Sequence, residues 1–310
     1  MSKSRKRRGW PLLPDPLPTP IIDDHTHLPV WDDEIPEAEG VRLDIDEQLR
    51  RAHAVGVAGV ITCGCELPAL APTVALTKRE NVWAALAIHP NEAALHCGVR
   101  EVAPDGLDPN PHDYHETSLD DALAEVARLA TAHDTVVAIG ETGLDYFRTG
   151  PAGIEAQKRS FAAHISLAKE LGLPLQIHDR DAHADTIAVL EAEGAPERTV
   201  FHCFSGDAEM ARVLADHGWY ASFAGPVSFN ANEFLREAAR VMPADHIMVE
   251  TDAPYLTPHP FRGQPNASYM TPLTLRALAD ARDESVEALA RRTYQTTCEV
   301  YGLSPVKSAT

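Results

Sequence analysis

The stretch IIDDHTHLPV (21–30) sets two histidines, His25 and His27, one residue apart behind two aspartates. Ile21 and Ile22 make the run apolar and branched, as a buried strand requires. Residues two apart on a strand leave the same face, so both imidazoles point one way, an arrangement suited to holding a metal ion. Further metal-capable side chains follow other short apolar runs: Glu141, His178, His202 and Asp252. One buried histidine alone is more often a hydrogen-bonded core residue. Six metal-capable residues at the ends of five runs form a pattern that random placement does not produce.

Four histidines and two carboxylates suit a centre of two divalent ions, with Mg, Mn or Zn as candidates: imidazole favours zinc or manganese, and carboxylates accept the harder magnesium. Glu141 lies centrally in strand order and reads as the bridge between ions about 3.5–4 Å apart. His25, His27 and Asp252 would take one ion, and His178 and His202 the other. Such a pair would polarise a carbonyl or phosphoryl oxygen and lower the pKa of a shared water. Asp252 is the candidate to accept the proton, so the catalytic assignments are Asp252 and Glu141.

Secondary candidates surround this set. His89, in AIHP (87–90), is a candidate substrate-binding residue or a structural histidine beside a proline turn. Arg180 could grip a phosphate bidentately, or pair with Asp145 or with groups around Glu141. Asp24 and Asp179 could orient imidazoles or be solvated strand-end residues. Cys203, beside His202 on a strand, should face the helix layer. Trp83 and Trp219 read as packing.

The elements that must position these groups repeat. Apolar, β-branched runs occur at 20–27, 57–63, 82–89, 135–141, 173–178, 199–203, 219–223 and 247–250. Amphipathic stretches such as LDDALAEVARLATAH and QKRSFAAHISLAKELG separate them, and Gly56, Gly172, Gly194 and Gly218 stand where helices should end. Alternation of this kind predicts an α/β fold, a (β/α)8 TIM barrel with the metal site at its C-terminal face. The competing open doubly wound sheet lacks a G-x-G-x-x-G after the first strand. The Pro-, Asp-, Asn- and His-rich segment 96–118 reads as a long surface loop on the C-terminal rim. The expected organisation is a disordered basic, Pro-rich tail (1–19), one barrel domain (20–303) and a short C-terminal tail (304–310).

Composition narrows the function classes. A formal charge of −19 argues against coating nucleic acid by general electrostatics, yet it leaves DNA open as a substrate where bound metal reverses the local sign. No apolar run reaches membrane-spanning length. Prolines interrupt the segment where a signal peptide would need its apolar core. Five cysteines without a CxxC pair point to a reducing cytoplasm.

The motifs DDHTHL (23–28), AIHP (87–90), IGETGLDYF (139–147), QIHDRDA (176–182), FHCFSGD (201–207), SFAGPVSF (222–229) and ETDAPYLTPHPFRG (250–263) occur in that order. In these the chain resembles the TatD family of metal-dependent deoxyribonucleases, within the amidohydrolase-like metal-dependent hydrolases. The resemblance implies metal contacts at His25, His27, Glu141, His178, His202 and Asp252, the set reached above. It also implies hydrolysis of DNA phosphodiester bonds; the net charge of −19 confines the attraction for phosphate to the metal pocket, which makes single strands or ends the expected substrate. Related amidohydrolases often carry a carboxylated lysine where Glu141 stands. The family pattern is broken at Asp24, usually Ser or Thr, at Asp179, and in TYQTT (293–297), which lacks the usual asparagine. Two alternatives remain: an amidase, lactonase or aminoacyl-ester hydrolase on the same two-metal centre, and a non-catalytic metal-binding scaffold.

Overall fold

The computed structural model describes residues 9–305. The apolar runs form eight strands, namely β1 (Ile21–Thr26), β2 (Val57–Gly64), β3 (Val82–Leu86), β4 (Val136–Asp145), β5 (Leu175–Arg180), β6 (Thr199–Phe201), β7 (Tyr220–Phe223) and β8 (Ile247–Val249). They pair in parallel and in this order, as strands joined by helical crossovers do. Beyond β8 the chain rejoins β1: the Asp252 amide donates to the His25 carbonyl at 3.0 Å, and the His27 amide to the Ala253 carbonyl at 2.7 Å. The fold is the expected (β/α)8 barrel.

Alternation along the strands builds two apolar layers. Ile21, Val60, Ala84 and Ile139 pack with helix residues such as Phe161, Ile165 and Leu214. Ile22, Ile61, Ala85 and Met248 face the barrel interior, which Cys298, Val300 and Tyr301 of the last helix (Val286–Tyr301) help to fill. The helices end as their glycines suggest, with Gly172 and Gly218 at φ 63° and 69° in the left-handed region that a Cβ disfavours.

Three features depart from the sequence expectation. Helices Pro90–His96 and Thr271–Ala281 were not anticipated; the first is too short to show a helical period, and the second begins in a Pro-rich stretch that reads as loop. Strand β4 continues to Asp145, so Glu141 lies inside a strand, next to a register irregularity between Ile139 and Thr142. Strand β6 stops at Phe201, leaving His202 and Cys203 beyond it. Cys203 has φ 43°, so strand alternation does not govern it, and the inference that it faces the helix layer loses its basis.

Residues 97–118 form a surface loop containing one 3-10 turn, Asp113–Glu116. The loop lies against the segment just past β4: the Ala152 amide donates to Glu101 at 2.9 Å, and Arg148 pairs with Asp105 at 3.2 Å. Of the expected N-terminal tail, residues 1–8 lie outside the described residues. Residues 9–19 run against the barrel, with Leu17 buried and its amide bonded to the Val55 carbonyl at 3.0 Å. The Pro11 carbonyl accepts from the Tyr269 hydroxyl at 3.0 Å.

Candidate metal centre

Glu141 is buried, and its two carboxylate oxygens meet different histidines. Oε2 lies 2.8 Å from His202 Nε2 and 3.1 Å from His25 Nε2. Oε1 lies 3.0 Å from His89 Nε2 and 3.6 Å from His178 Nδ1. On the Oε2 side, His27 Nε2 is 3.3 Å from His25 Nε2 and 3.4 Å from Asp252 Oδ1. The six residues singled out as ligands therefore meet in one place. Within it, His202 and His25 approach one oxygen of Glu141 and His178 the other.

Neighbouring groups decide which imidazole nitrogen faces inward. Gln176 donates its amide hydrogens to the Asp24 carbonyl at 2.7 Å and the Tyr301 hydroxyl at 2.8 Å. Its Oε1 must then accept from His25 Nδ1 at 3.1 Å, which leaves a lone pair on His25 Nε2, aimed at Glu141. Glu250 in the same way takes His202 Nδ1 at 3.3 Å. Asp145 takes His178 Nε2 at 3.2 Å, so that Nδ1 turns toward Glu141. Despite the short approaches, Glu141 Oε2 makes no hydrogen bond of acceptable direction. A buried carboxylate oxygen so closely approached by imidazoles needs a cation there, either a proton on an imidazole or a metal ion in its place, and imidazole with carboxylate is a donor set for divalent ions.

His89 differs. Its Nδ1 accepts from the Asn91 amide at 3.1 Å, capping helix Pro90–His96, so its Nε2 carries the proton and donates to Glu141. It is a hydrogen-bond donor in this setting rather than a lone-pair ligand.

Charges within the cluster offset the cost of burial. Burial alone would lower the His202 pKa, but Glu141 and Glu250 raise it well above the imidazole range. His27 is likewise pulled down by burial and pushed well above its usual value by the hydrogen bonds to Asp252 and Cys65. Burial works to raise Glu141, yet His202, His25 and His89 hold it well below the carboxylate range. Burial also works against Asp252, whose bond to His27 and the nearby His202 keep it low. The site favours positive charge at its centre, as a proton or as a metal ion.

The remaining candidates separate. Arg180 does not pair with Asp145, whose carboxylate already receives His178, Asn91 and the amides of Phe147 and Arg148. Arg180 is exposed, its guanidinium 4.0 Å above the Phe147 ring, with no ion-pair partner among the described residues. Asp24 is fully buried rather than solvated. It accepts from Ser222 at 2.7 Å and Tyr301 at 3.3 Å, and burial followed by repulsion from Glu250 raises its pKa well above normal. Asp179 pairs with His183 at 2.7 Å, and no hydrogen bond links it to His178. Sequence reasoning passed over Gln176, Glu250 and Tyr301, which resemble ordinary strand and helix residues. It also passed over Tyr255, 62% exposed with its ring 6.1 Å from that of His27. Its place three residues after Asp252 was the available signal.

Residues 22–302 match the family model described as TatD related DNase. The chain is 41% identical over 288 residues to an uncharacterized metal-dependent hydrolase TatD of Mycobacterium tuberculosis, covering 91% of this chain and 98% of that one. It is 30% identical to a protein of Escherichia fergusonii named 3'-5' ssDNA/RNA exonuclease TatD, covering 84% of this chain and 94% of the other. The crystal structure of YjjV, a TatD homolog from Escherichia coli, superposes with a TM-score of 0.76 at 25% identity, covering 92% of this chain and 98% of that one. With barrel, motifs and buried donor cluster agreeing, the chain belongs to the TatD family and is a metal-dependent hydrolase.

Proposed function

We propose that this chain hydrolyses phosphodiester bonds of DNA, taking single strands or ends, with two divalent ions held by His25, His27, Glu141, His178, His202 and Asp252. The observation that supports this most is Glu141, a buried carboxylate whose two oxygens each face their own imidazoles. A carboxylate placed in that way suits sharing between two ions, with Mg, Mn and Zn all compatible with the donor set. Bound there, the ions would act as Lewis acids on a phosphoryl oxygen and acidify a water near neutral pH.

The residues supply the rest. Asp252, held ionised beside His27 at the mouth of the cluster, takes the proton of the attacking water. Gln176, Asp145 and Glu250 fix the imidazole rings, so that little reorganisation accompanies reaction. With Glu141 Oε1 given over to an ion, the His89 Nε2 proton would be free to donate to a non-bridging phosphate oxygen. Arg180, free of a carboxylate partner among the described residues, contacts a neighbouring phosphate. Tyr255 offers an exposed ring on which a base stacks, which favours single strands over duplex. The exonuclease naming of two relatives, of Escherichia fergusonii and Cronobacter sakazakii, agrees with such a substrate. All five cysteines are free, which suits a reducing cytoplasm, and no helix among the described residues is long and apolar enough to cross a membrane.

The test is turnover of metal-reconstituted protein on end-labelled single-stranded DNA, blunt duplex, RNA, and amide and lactone substrates. Progressive shortening of the single strand is expected. Hydrolysis of carbonyl substrates with none of any phosphodiester would overturn the reading, and would move the assignment to the amidase or lactonase alternative.

A further inference from the structure

The loop after helix Pro90–His96 carries a second histidine cluster away from Glu141. The helix presents Glu92 and His96 four residues apart on one face, and the turn Asp113–Glu116 brings His115 back over them. His115 Nε2 lies 2.8 Å from Glu92 Oε2, and the Tyr114 hydroxyl donates to the same oxygen at 3.0 Å. The His96 and His115 rings are 4.9 Å apart, and one donor atom from each of Glu92, His96 and His115 lies within 4.8 Å of the others. His96 is only 7% exposed. Its Nδ1 proton goes to the Thr117 carbonyl at 2.8 Å, so its Nε2 bears a lone pair, and that buried nitrogen has no hydrogen-bond partner.

We propose that Glu92, His96 and His115 form a second metal site, for a zinc-like divalent cation, independent of the barrel centre. Two imidazoles and a carboxylate are a common zinc donor set, with solvent completing the tetrahedron. A cavity of about 250 Å³ adjoins the cluster on the Glu92 side, lined in part by Glu66, Glu92, His112 and Tyr114. Burial lowers the His96 pKa, so its Nε2 is unprotonated near neutral pH. His115 has to change: its Nδ1 now accepts from the His112 amide at 2.8 Å, which puts its proton on Nε2. Metal entry moves that proton to Nδ1 and gives up the amide bond, with no net proton released. The bound ion ties the helix to the far end of the inserted loop.

Full-length protein is equilibrated with zinc and dialysed, its metal content is measured, and a crystal is examined for anomalous scattering. The expected result is one zinc beyond those of the barrel centre, with a peak among Glu92, His96 and His115. His96→Asn keeps a donor for the Thr117 carbonyl but removes Nε2, and should lose that equivalent alone. Glu92→Gln gives an independent reading if His96→Asn does not fold. Unchanged zinc content in either folded variant, or no anomalous peak in the parent, overturns the site. Because the readout is bound metal, failure here is distinguishable from failure of the proposed nuclease activity.

Discussion

The two histidine clusters are built from similar parts by different means. Around Glu141 the side chains come from separate strands and strand ends spread over more than 200 residues of sequence, from His25 to Asp252, and three of the imidazoles are fixed by their own partners: Gln176 for His25, Asp145 for His178 and Glu250 for His202. Around Glu92 they come from one helix and the loop that follows it, from 92 to 115, and backbone groups of that same loop orient the rings. The barrel cluster can be aimed at a reacting atom, since its groups stand on a rigid sheet with oriented rings. The loop cluster is local, and ordering the loop is the most that it can do.

The sharpest way to separate the two is Glu141→Ala. It should cut turnover by about three orders of magnitude while the circular dichroism of the barrel and the zinc of the loop cluster persist. Near-parental turnover at limiting metal would break the contrast. Acidity gives the next largest difference. Because His27 and His202 have raised pKa values, an ion entering the barrel centre must displace their protons. Its apparent affinity should therefore climb as pH rises, by more than about tenfold per unit, whereas the loop cluster should show a shallow dependence. Competition titrations with a chelator between pH 6 and 8, about two units, would show whether the slopes differ. Gln176→Ala frees the His25 ring and should weaken metal binding at the barrel centre by about 10–100-fold, without altering uptake by the loop. The smallest effect is expected of Tyr255→Ala: metal content unchanged, KM for single strands raised about tenfold, and kcat little affected. A loss of kcat with unchanged KM would place Tyr255 in the chemistry instead.

Much of this arrangement is legible in the residues themselves. Short apolar, β-branched runs alternating with amphipathic stretches point to a parallel barrel, and a barrel brings strand ends together, which is why His25, Glu141, His178, His202 and Asp252 could be grouped from the residues alone. Which imidazoles share an oxygen of Glu141 was not legible, because it depends on where β4 and β6 stop: β4 outruns its apolar stretch to Asp145, and β6 ends before His202. Asp24 reads as a solvated strand-end acid, but Ser222 and Tyr301, 198 and 277 residues away, bury it. The loop cluster was hidden for a similar reason. Its histidines lie in a segment without periodicity, and only the 3-10 turn folds His115 back onto Glu92.

The seam between β8 and β1 carries one more consequence. The amides of Asp252 and His27 that stitch the last strand to the first belong to two of the residues proposed to hold metal. An occupied centre therefore rivets together regions near opposite ends of the chain, and the barrel's closure becomes linked to its loading. In hydrogen–deuterium exchange these two amides should exchange more slowly on metal addition than amides in the middle of β3. Protease resistance should rise with them, so that a cell short of metal would find this protein first unzipping where its two ends meet.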